Sequence, residues 1–273
     1  DDPGVAHYQA HLSAMTAEEL ESEAHTLAGH LSATGLVSAY HAVLVRHLRG
    51  VAPAVLPTAL ALSSTGRDAL LNHQELVLRL IDEAVFPETA QAIYGLHALL
   101  ESGALYFPPV PHGLWRQIVH PIREDVQTTL REVYGPSQPP RVWLLSGLIQ
   151  VIGQPLGIGQ GDNPTCQSAR ALSLWAKCDP GYLLQLLLWA TRDGEIVMSF
   201  EGDAISSKDL DAGLAEALHT ELDPISLVLV PHLDRIYGEM WRRVADRGED
   251  GHRWINPEFH GWWVQRGFAI CVD

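Results

Sequence analysis

The feature that most constrains the fold is a helical periodicity that runs through the first 135 residues and stops at a proline-rich segment. Apolar residues recur there at three- and four-residue spacing, which is typical of helices with one buried face. Glycine and proline divide the pattern, and the predicted helices fall at about 16–31, 36–49, 67–84, 88–103 and 113–134. Thr16, followed three residues later by Glu19, predicts a capping box at the start of the first of these helices.

A cluster of proline, glycine and serine at Gly135-Pro136-Ser137-Gln138-Pro139-Pro140 marks the best candidate for a domain boundary. Such a cluster stops a helix and favours an extended linker. The sequence therefore predicts a helical region at 1–135 and a second region at 141–273.

The second region mixes two periodicities. Helices are predicted over 166–177, 182–191 and 231–247, and strands over 195–202, 259–264 and 268–273. The apolar run Leu227–Val230 fits either a strand or the start of a helix. Helices come first and strands later, so the expected fold class is α+β, without the alternation of a βαβ fold.

Composition and charge exclude several classes of protein. The formal net charge is −15, which disfavours binding to the phosphates of nucleic acid. No uninterrupted apolar run reaches the roughly 18 residues of a membrane span. Three cysteines without a CxxC pair argue against a disulfide framework and indicate a reducing compartment, cytoplasmic or inside a host cell. The chain begins at Asp1 without methionine, which suggests a processed form or an excised piece.

The segment Gln160–Arg170 carries the clearest chemical signal. A loop rich in glycine, proline and asparagine enters a helix at Cys166. The unpaired N–H groups and the positive dipole end of a helix N-terminus favour a thiolate, the nucleophilic form of cysteine. The side-chain amide of Gln160, six residues upstream, is a candidate donor to an oxyanion. Gln154 is an alternative donor at a spacing of twelve.

The end of the chain offers a base and a carboxylate. If the predicted strands form a hairpin that reverses symmetrically about Arg266-Gly267, His260 faces Asp273 across it. The carboxylate would then orient the imidazole, whereas an odd loop length would place the two on opposite faces. Other residues compete for these roles: as the base His219, His232 and His252, and as the orienting residue Asp250 and Asn256.

The pattern Gln160-Gly161, four residues and then Cys166 at a helix start resembles the active-site segment of papain-like cysteine proteases. The resemblance covers about a dozen residues around Cys166 together with the His260–Asp273 pair, and Gln167 stands where papain has tryptophan. It implies a nucleophile helix packed on an antiparallel sheet. It also implies a catalytic set of Cys166, His260 and Asp273, with Gln160 in the oxyanion hole.

The expected function is therefore a thiol hydrolase that acts on amide bonds of a protein or peptide substrate, most simply a cysteine protease. A glutamine deamidase or a transglutaminase would use the same residues. Arginine-rich, lysine-poor composition together with this chemistry suggests a bacterial effector or toxin. The contrasting hypothesis is a non-catalytic helical interaction protein. No cofactor is expected, and the absence of an HExxH motif or a P-loop argues against a catalytic metal and a nucleotide site. Cys178 is interpreted as structural and Cys271 as a packing residue, with a place in the wall of the site as the alternative for Cys271.

Overall fold

The structure, a computed structural model, describes residues 3–215 and 217–261 of the chain. This part is mostly helical, with one two-stranded antiparallel sheet. The helices are α1 Pro3–Leu12, α2 Ala17–Thr34, α3 Ala39–Val51, α4 Leu56–Ala59, α5 Ser64–Asn72, α6 Gln74–Ala84, α7 Ala92–Glu101, α8 Pro109–Val119, α9 Glu124–Tyr134, α10 Pro140–Gly153, α11 Cys166–Cys178, α12 Pro180–Leu188, α13 Pro224–Val244 and α14 His252–His260. The strands are β1 Val197–Phe200 and β2 Asp203–Ser206. In these coarse terms the α+β prediction holds.

The predicted capping box of α2 is confirmed. The Thr16 hydroxyl accepts from the Glu19 N–H at 3.3 Å, and the Glu19 carboxylate accepts from the Thr16 N–H at 2.7 Å. Gly35 ends this helix in the left-handed conformation, with φ of 69°. The local sequence therefore determines both ends of α2.

Two predicted helices are each divided in the structure. The run 67–84 breaks at His73 into α5 and α6, and the run 113–134 breaks between α8 and α9. The second break contains Pro121, which has no N–H to donate to a helical carbonyl. Apolar periodicity predicted the helical state correctly but did not show the breaks.

The chain forms two compact units. One unit comprises the described residues of 1–119 and 130–154, and the other those of 120–129 and 155–273. In the first unit α7 and α10 approach closely at two glycines. A Cβ on Gly95 would lie 2.7 Å from the Ile149 carbonyl oxygen, and one on Gly153 would lie 2.5 Å from the Gly95 carbonyl oxygen. The helix that follows the proline-rich segment thus packs in the first unit.

In the second unit β1 and β2 pair as a hairpin, with Phe200 opposite Asp203. The loop residues Glu201 and Gly202 both have positive φ, 52° and 92°. Positive φ at both central residues is what a two-residue hairpin loop of type I′ requires. The predicted strand at 195–202, ending in a turn, is confirmed, and β2 follows it.

Two other predictions about this unit are resolved or corrected. The run Leu227–Val230 lies inside α13. Asp223 caps the N-terminus of this helix, because its side chain accepts from the N–H groups of Ile225 and Ser226. Phe259 and His260 lie in α14, so a strand beginning at Phe259 was wrong for these two residues. The remainder of the predicted hairpin, including Cys271 and Asp273, lies outside the described residues.

Candidate functional site

The loop before α11 is held in place by Asn163. Its side chain is 2 % exposed, donates to the carbonyls of Gln160 at 2.9 Å and His219 at 3.2 Å, and accepts from the His219 N–H at 2.7 Å. The Gln160 side-chain amide donates to the Asn163 carbonyl at 2.9 Å. Gly161 makes the turn between them with φ of 57°. These bonds fix the entry of the chain into α11, and they engage the Gln160 amide within the loop.

Cys166 is the first residue of α11 and is exposed. The first helical hydrogen bond runs from the Ala169 N–H to the Thr165 carbonyl at 3.0 Å, so the N–H groups of residues 166–168 have no acceptor within the helix. Thr165 precedes the helix without a side-chain cap. The start of α11 is therefore an electropositive end that presents a thiol.

A pocket of about 200 Å³ lies at this helix start. Beside Cys166 it is lined by residues of α13 and by the first residue of α14. The chemically active side chains among them are Asp234, Tyr237, Trp241 and His252. Asp234, Tyr237 and Trp241 follow one another at spacings of three and four, which places them on one face of α13.

A hydrogen-bonded chain of three side chains ends in the pocket. His252 Nδ1 lies 2.7 Å from Asp250 Oδ1, and His252 Nε2 lies 3.1 Å from the Tyr237 hydroxyl. A carboxylate only accepts, so Nδ1 carries a proton, and Nε2 can accept from the Tyr237 hydroxyl. Burial raises the pKa of Tyr237 to about 12, which keeps its hydroxyl protonated. The bond from His252 holds the pKa of Asp250 below its ordinary value.

His260 occupies a different environment. It is 1 % exposed, and its Nε2 lies 2.9 Å from the Gln167 side-chain oxygen. Burial, together with the charges of Arg170 and His252, lowers the pKa of His260 to about 3. Gln167 also donates to Asn256 Oδ1 at 3.3 Å. His260 and Asn256 therefore hold Gln167, the residue next to Cys166, and neither lines the pocket.

The remaining candidates from the sequence lie elsewhere. His232 Nδ1 lies 2.8 Å from the Ser207 hydroxyl, and burial lowers its pKa to about 4. His219 contributes its backbone to the Asn163 contacts. Gln154 ends α10, and its N–H donates to the Gln150 carbonyl at 2.7 Å. Of the four histidines weighed as the base, His252 is the one that lines the pocket with Cys166.

Sequence reasoning did not identify Asp234, Tyr237 and Trp241. Their signal is a polar-aromatic stripe at helical spacing, and it depends on their lying in one helix, α13. The sequence offers Asp250 and His252, two residues apart, as alternatives for the orienting residue and the base, but their local spacing does not favour them over Asp273 and His260.

Comparison with known protein families, curated proteins and solved structures finds no match to this chain. Among the described residues, no helix combines the length and apolar character needed to cross a bilayer. Nor does any group of three or more histidine, cysteine or carboxylate side chains in the described part of the chain form a potential metal site.

Proposed function

We propose that this protein is a thiol hydrolase that cleaves amide bonds, with Cys166 as the nucleophile and His252 as the base. The proposal depends on the arrangement around His252. This residue lines the same pocket as Cys166, and its Nδ1 is hydrogen-bonded to the carboxylate of Asp250. A nucleophile, a base and a group that orients the base are the recurring parts of covalent amide hydrolysis.

The proposed reaction begins when the Tyr237 hydroxyl releases its bond to His252 Nε2, and the Cys166 thiol proton is transferred to that nitrogen. The thiolate then attacks the amide carbonyl. In this proposal the N–H groups at the start of α11, which have no helical acceptor, stabilise the resulting oxyanion. His252 returns the proton to the leaving amine, and water hydrolyses the thioester to regenerate the thiol.

The papain-like assignment implied His260 and Asp273 as partners of Cys166, and it remains a competing hypothesis for the same reaction. His260 donates to Gln167 and its pKa is about 3, so it is a weak base where it lies. The described geometry therefore favours His252 as the base and His260 as a positioning residue. Asp273 lies outside the described residues.

We retain peptide cleavage as the reaction, on the Gln160-to-Cys166 spacing. A glutamine deamidase or a transglutaminase would form the same thioester, and the products separate the three reactions. Cleavage lowers the mass of the peptide, deamidation raises it by about one dalton, and transglutamination adds the mass of the amine.

The decisive experiment incubates a mixture of unstructured peptides with wild type and with Cys166→Ala, and identifies the products by mass spectrometry. We expect Cys166→Ala to lose activity by about 10⁴-fold or more, because no other group replaces the nucleophile. Cys178→Ala is the matched control and should keep full activity. Activity that survives in Cys166→Ala would overturn the proposal and favour a non-catalytic interaction protein with a contaminating hydrolase.

Two pairs of variants then distinguish the bases. Removing a general base costs about 10²- to 10⁴-fold, so we expect a loss of this order in kcat for His252→Gln. Asp250→Asn should also lower kcat, since it removes the negative charge beside His252 and its amide N–H can bond the opposite tautomer of the ring. His260→Gln and Asp273→Asn should cost less than His252→Gln. The reverse order would restore the papain-like assignment.

A further inference from the structure

The pocket beside Cys166 contains a buried carboxylate whose charge is unpaired among the described residues. Asp234 is 3 % exposed and lines the pocket. No arginine, lysine or histidine side chain of 3–215 or 217–261 forms an ion pair with it. Buried charges are ordinarily paired, because removing an ion from water is costly. A carboxylate in this position therefore calls for a cation that none of the described side chains supplies.

Backbone contacts fix the orientation of this carboxylate. Asp234 Oδ2 accepts from the Ala215 N–H at 3.0 Å, and the Leu214 N–H is a second donor. A Cβ on Gly213 would collide with the carboxylate, so the 213–215 segment lies directly against it. Burial raises the pKa of Asp234, while the two N–H donors oppose that rise. The group is held in place by neutral donors that leave its negative charge uncompensated.

Two aromatic rings of the same helix face line the pocket with it. Tyr237 and Trp241 have ring centroids 6.0 Å apart. Tyrosine and tryptophan faces attract guanidinium and ammonium groups, and the attraction grows when water is excluded. A carboxylate beside two such rings is a chemical match for a cationic side chain.

The polar features of the pocket are divided between helices. The start of α11 supplies the thiol and the N–H donors suited to a carbonyl oxygen, and α13 supplies the carboxylate and the rings. The volume of about 200 Å³ is below the roughly 300–1,000 Å³ of pockets that bind whole drug-sized ligands. One long side chain next to the reacting amide is the size of group that this space accommodates.

We propose that Asp234 is the specificity-determining residue of the pocket, and that the substrate carries an arginine or lysine side chain next to the amide attacked by Cys166. This inference rests on the proposed function for the identity of the reaction. The recognition of a cation can be tested without catalysis.

The first experiment measures the rates at which charged methanethiosulfonate reagents modify Cys166. Cationic trimethylammonioethyl, anionic sulfonatoethyl and neutral methyl reagents are compared, and modification of the Cys166 and Cys178 peptides is followed by mass spectrometry. We expect Asp234→Asn to lower the cationic-to-anionic rate ratio at Cys166 by about tenfold, the effect of removing one partly screened charge from the same pocket. The ratio at Cys178 should not change.

Asp246→Asn is the matched control, because Asp246 is exposed and does not line the pocket. It removes the same charge from the chain and should leave the ratio at Cys166 unaltered. An unaltered ratio in Asp234→Asn would show that Asp234 only anchors the 213–215 segment, and would overturn the inference. Asparagine keeps an acceptor for the two backbone donors, so the fold should be retained.

If Asp234→Asn does not fold, an experiment on wild type alone still tests whether the pocket recognises a cation. L-arginine amide should slow modification of Cys166 by the neutral reagent at concentrations where L-citrulline amide, its uncharged analogue, does not. Equal protection by both amides would overturn the inference.

The second experiment compares cleavage of peptides that differ only in arginine or citrulline before the scissile bond. We expect wild type to prefer arginine in kcat/KM and Asp234→Asn to lose the preference by about 30-fold or more, as when one member of a buried charge pair is removed. Cleavage without a charge preference would overturn the inference and leave the function standing. Cation-selective labelling without any cleavage would refute the function and leave the cation pocket standing.

Discussion

At the scale of single residues, His252 and His260 differ in what their ring nitrogens contact. His252 Nδ1 contacts the carboxylate of Asp250, and its Nε2 contacts the hydroxyl of Tyr237. The His252 side chain is 41 % exposed. His260 is enclosed and donates to the neutral oxygen of Gln167. A carboxylate stabilises an imidazolium, whereas an amide oxygen in a buried setting does not. In the proposed reaction His252 is therefore the proton acceptor.

The buried state of His260 predicts a pH dependence of stability. Its pKa falls from the ordinary 6.5 to about 3 on folding. Between these values the unfolded chain binds a proton that the folded protein does not, so stability present above pH 6.5 is lost as the pH falls. This group contributes at most about 1.4 kcal/mol for each pH unit in that range.

Urea denaturation of wild type and His260→Gln at pH 7.5, 5.5 and 4.5 measures this contribution. We expect the free energy of unfolding of wild type to fall more steeply with acidification than that of the variant. His232, whose pKa is about 4, affects both proteins alike. Parallel curves for the two proteins would show that His260 is not buried as a neutral ring.

At the scale of elements, α13 sets the chemistry of the pocket. Its capped start at Asp223 and its apolar face against α11, α12 and α14 fix its rotation. With the rotation fixed, Asp234, Tyr237 and Trp241 face the pocket. The short segment at Gly213 covers this face so closely that its backbone bonds the carboxylate of Asp234.

That contact predicts the effect of adding one methyl group. Gly213→Ala would place Cβ in collision with the Asp234 carboxylate, and relief of such overpacking costs about 1–3 kcal/mol. We expect Gly213→Ala to unfold at a lower urea concentration than wild type. We also expect a lower ratio of cationic to anionic modification rates at Cys166. Gly29→Ala is the control, since nothing lies within 4 Å of a Cβ there, and helix propensity should make it neutral or more stable by about 0.5–1 kcal/mol. Equal stability of Gly213→Ala and wild type would contradict the packing.

At the scale of the whole molecule, the chain carries a formal net charge of −15. A strongly negative protein attracts cations over distances that salt limits to roughly 10 Å at 0.1 M. Approach of a cationic peptide should therefore be faster than that of a neutral one, and more sensitive to salt.

Raising NaCl from 20 to 300 mM should lower kcat/KM for an arginine peptide by about 3- to 10-fold, because screening removes the attraction. The citrulline peptide should change by less than about twofold under the same conditions. Steady-state assays at constant pH measure both. A matched salt response of the two peptides would show that the net charge does not steer the substrate.

The sequence by itself determined the features that depend on local chemistry. Apolar spacing predicted the helices, Thr16 and Glu19 predicted the cap of α2, and the loop before Cys166 predicted a cysteine at a helix start. Each of these follows from residues within one or two turns of each other, so that no distant contact is needed to infer it.

Only the tertiary structure decided which histidine lines the pocket with Cys166 and whether 259–260 belong to a strand. Aromatic residues there favour a strand locally, yet Ile255 and Phe259, four apart, are buried together in α14. The centroid of the Phe259 ring lies 5.4 Å from that of the Tyr237 ring and 6.1 Å from that of the Trp175 ring. Burial against residues distant in sequence outweighs local strand propensity. The same packing places His252 in the pocket and encloses His260, which spacing along the chain could not determine.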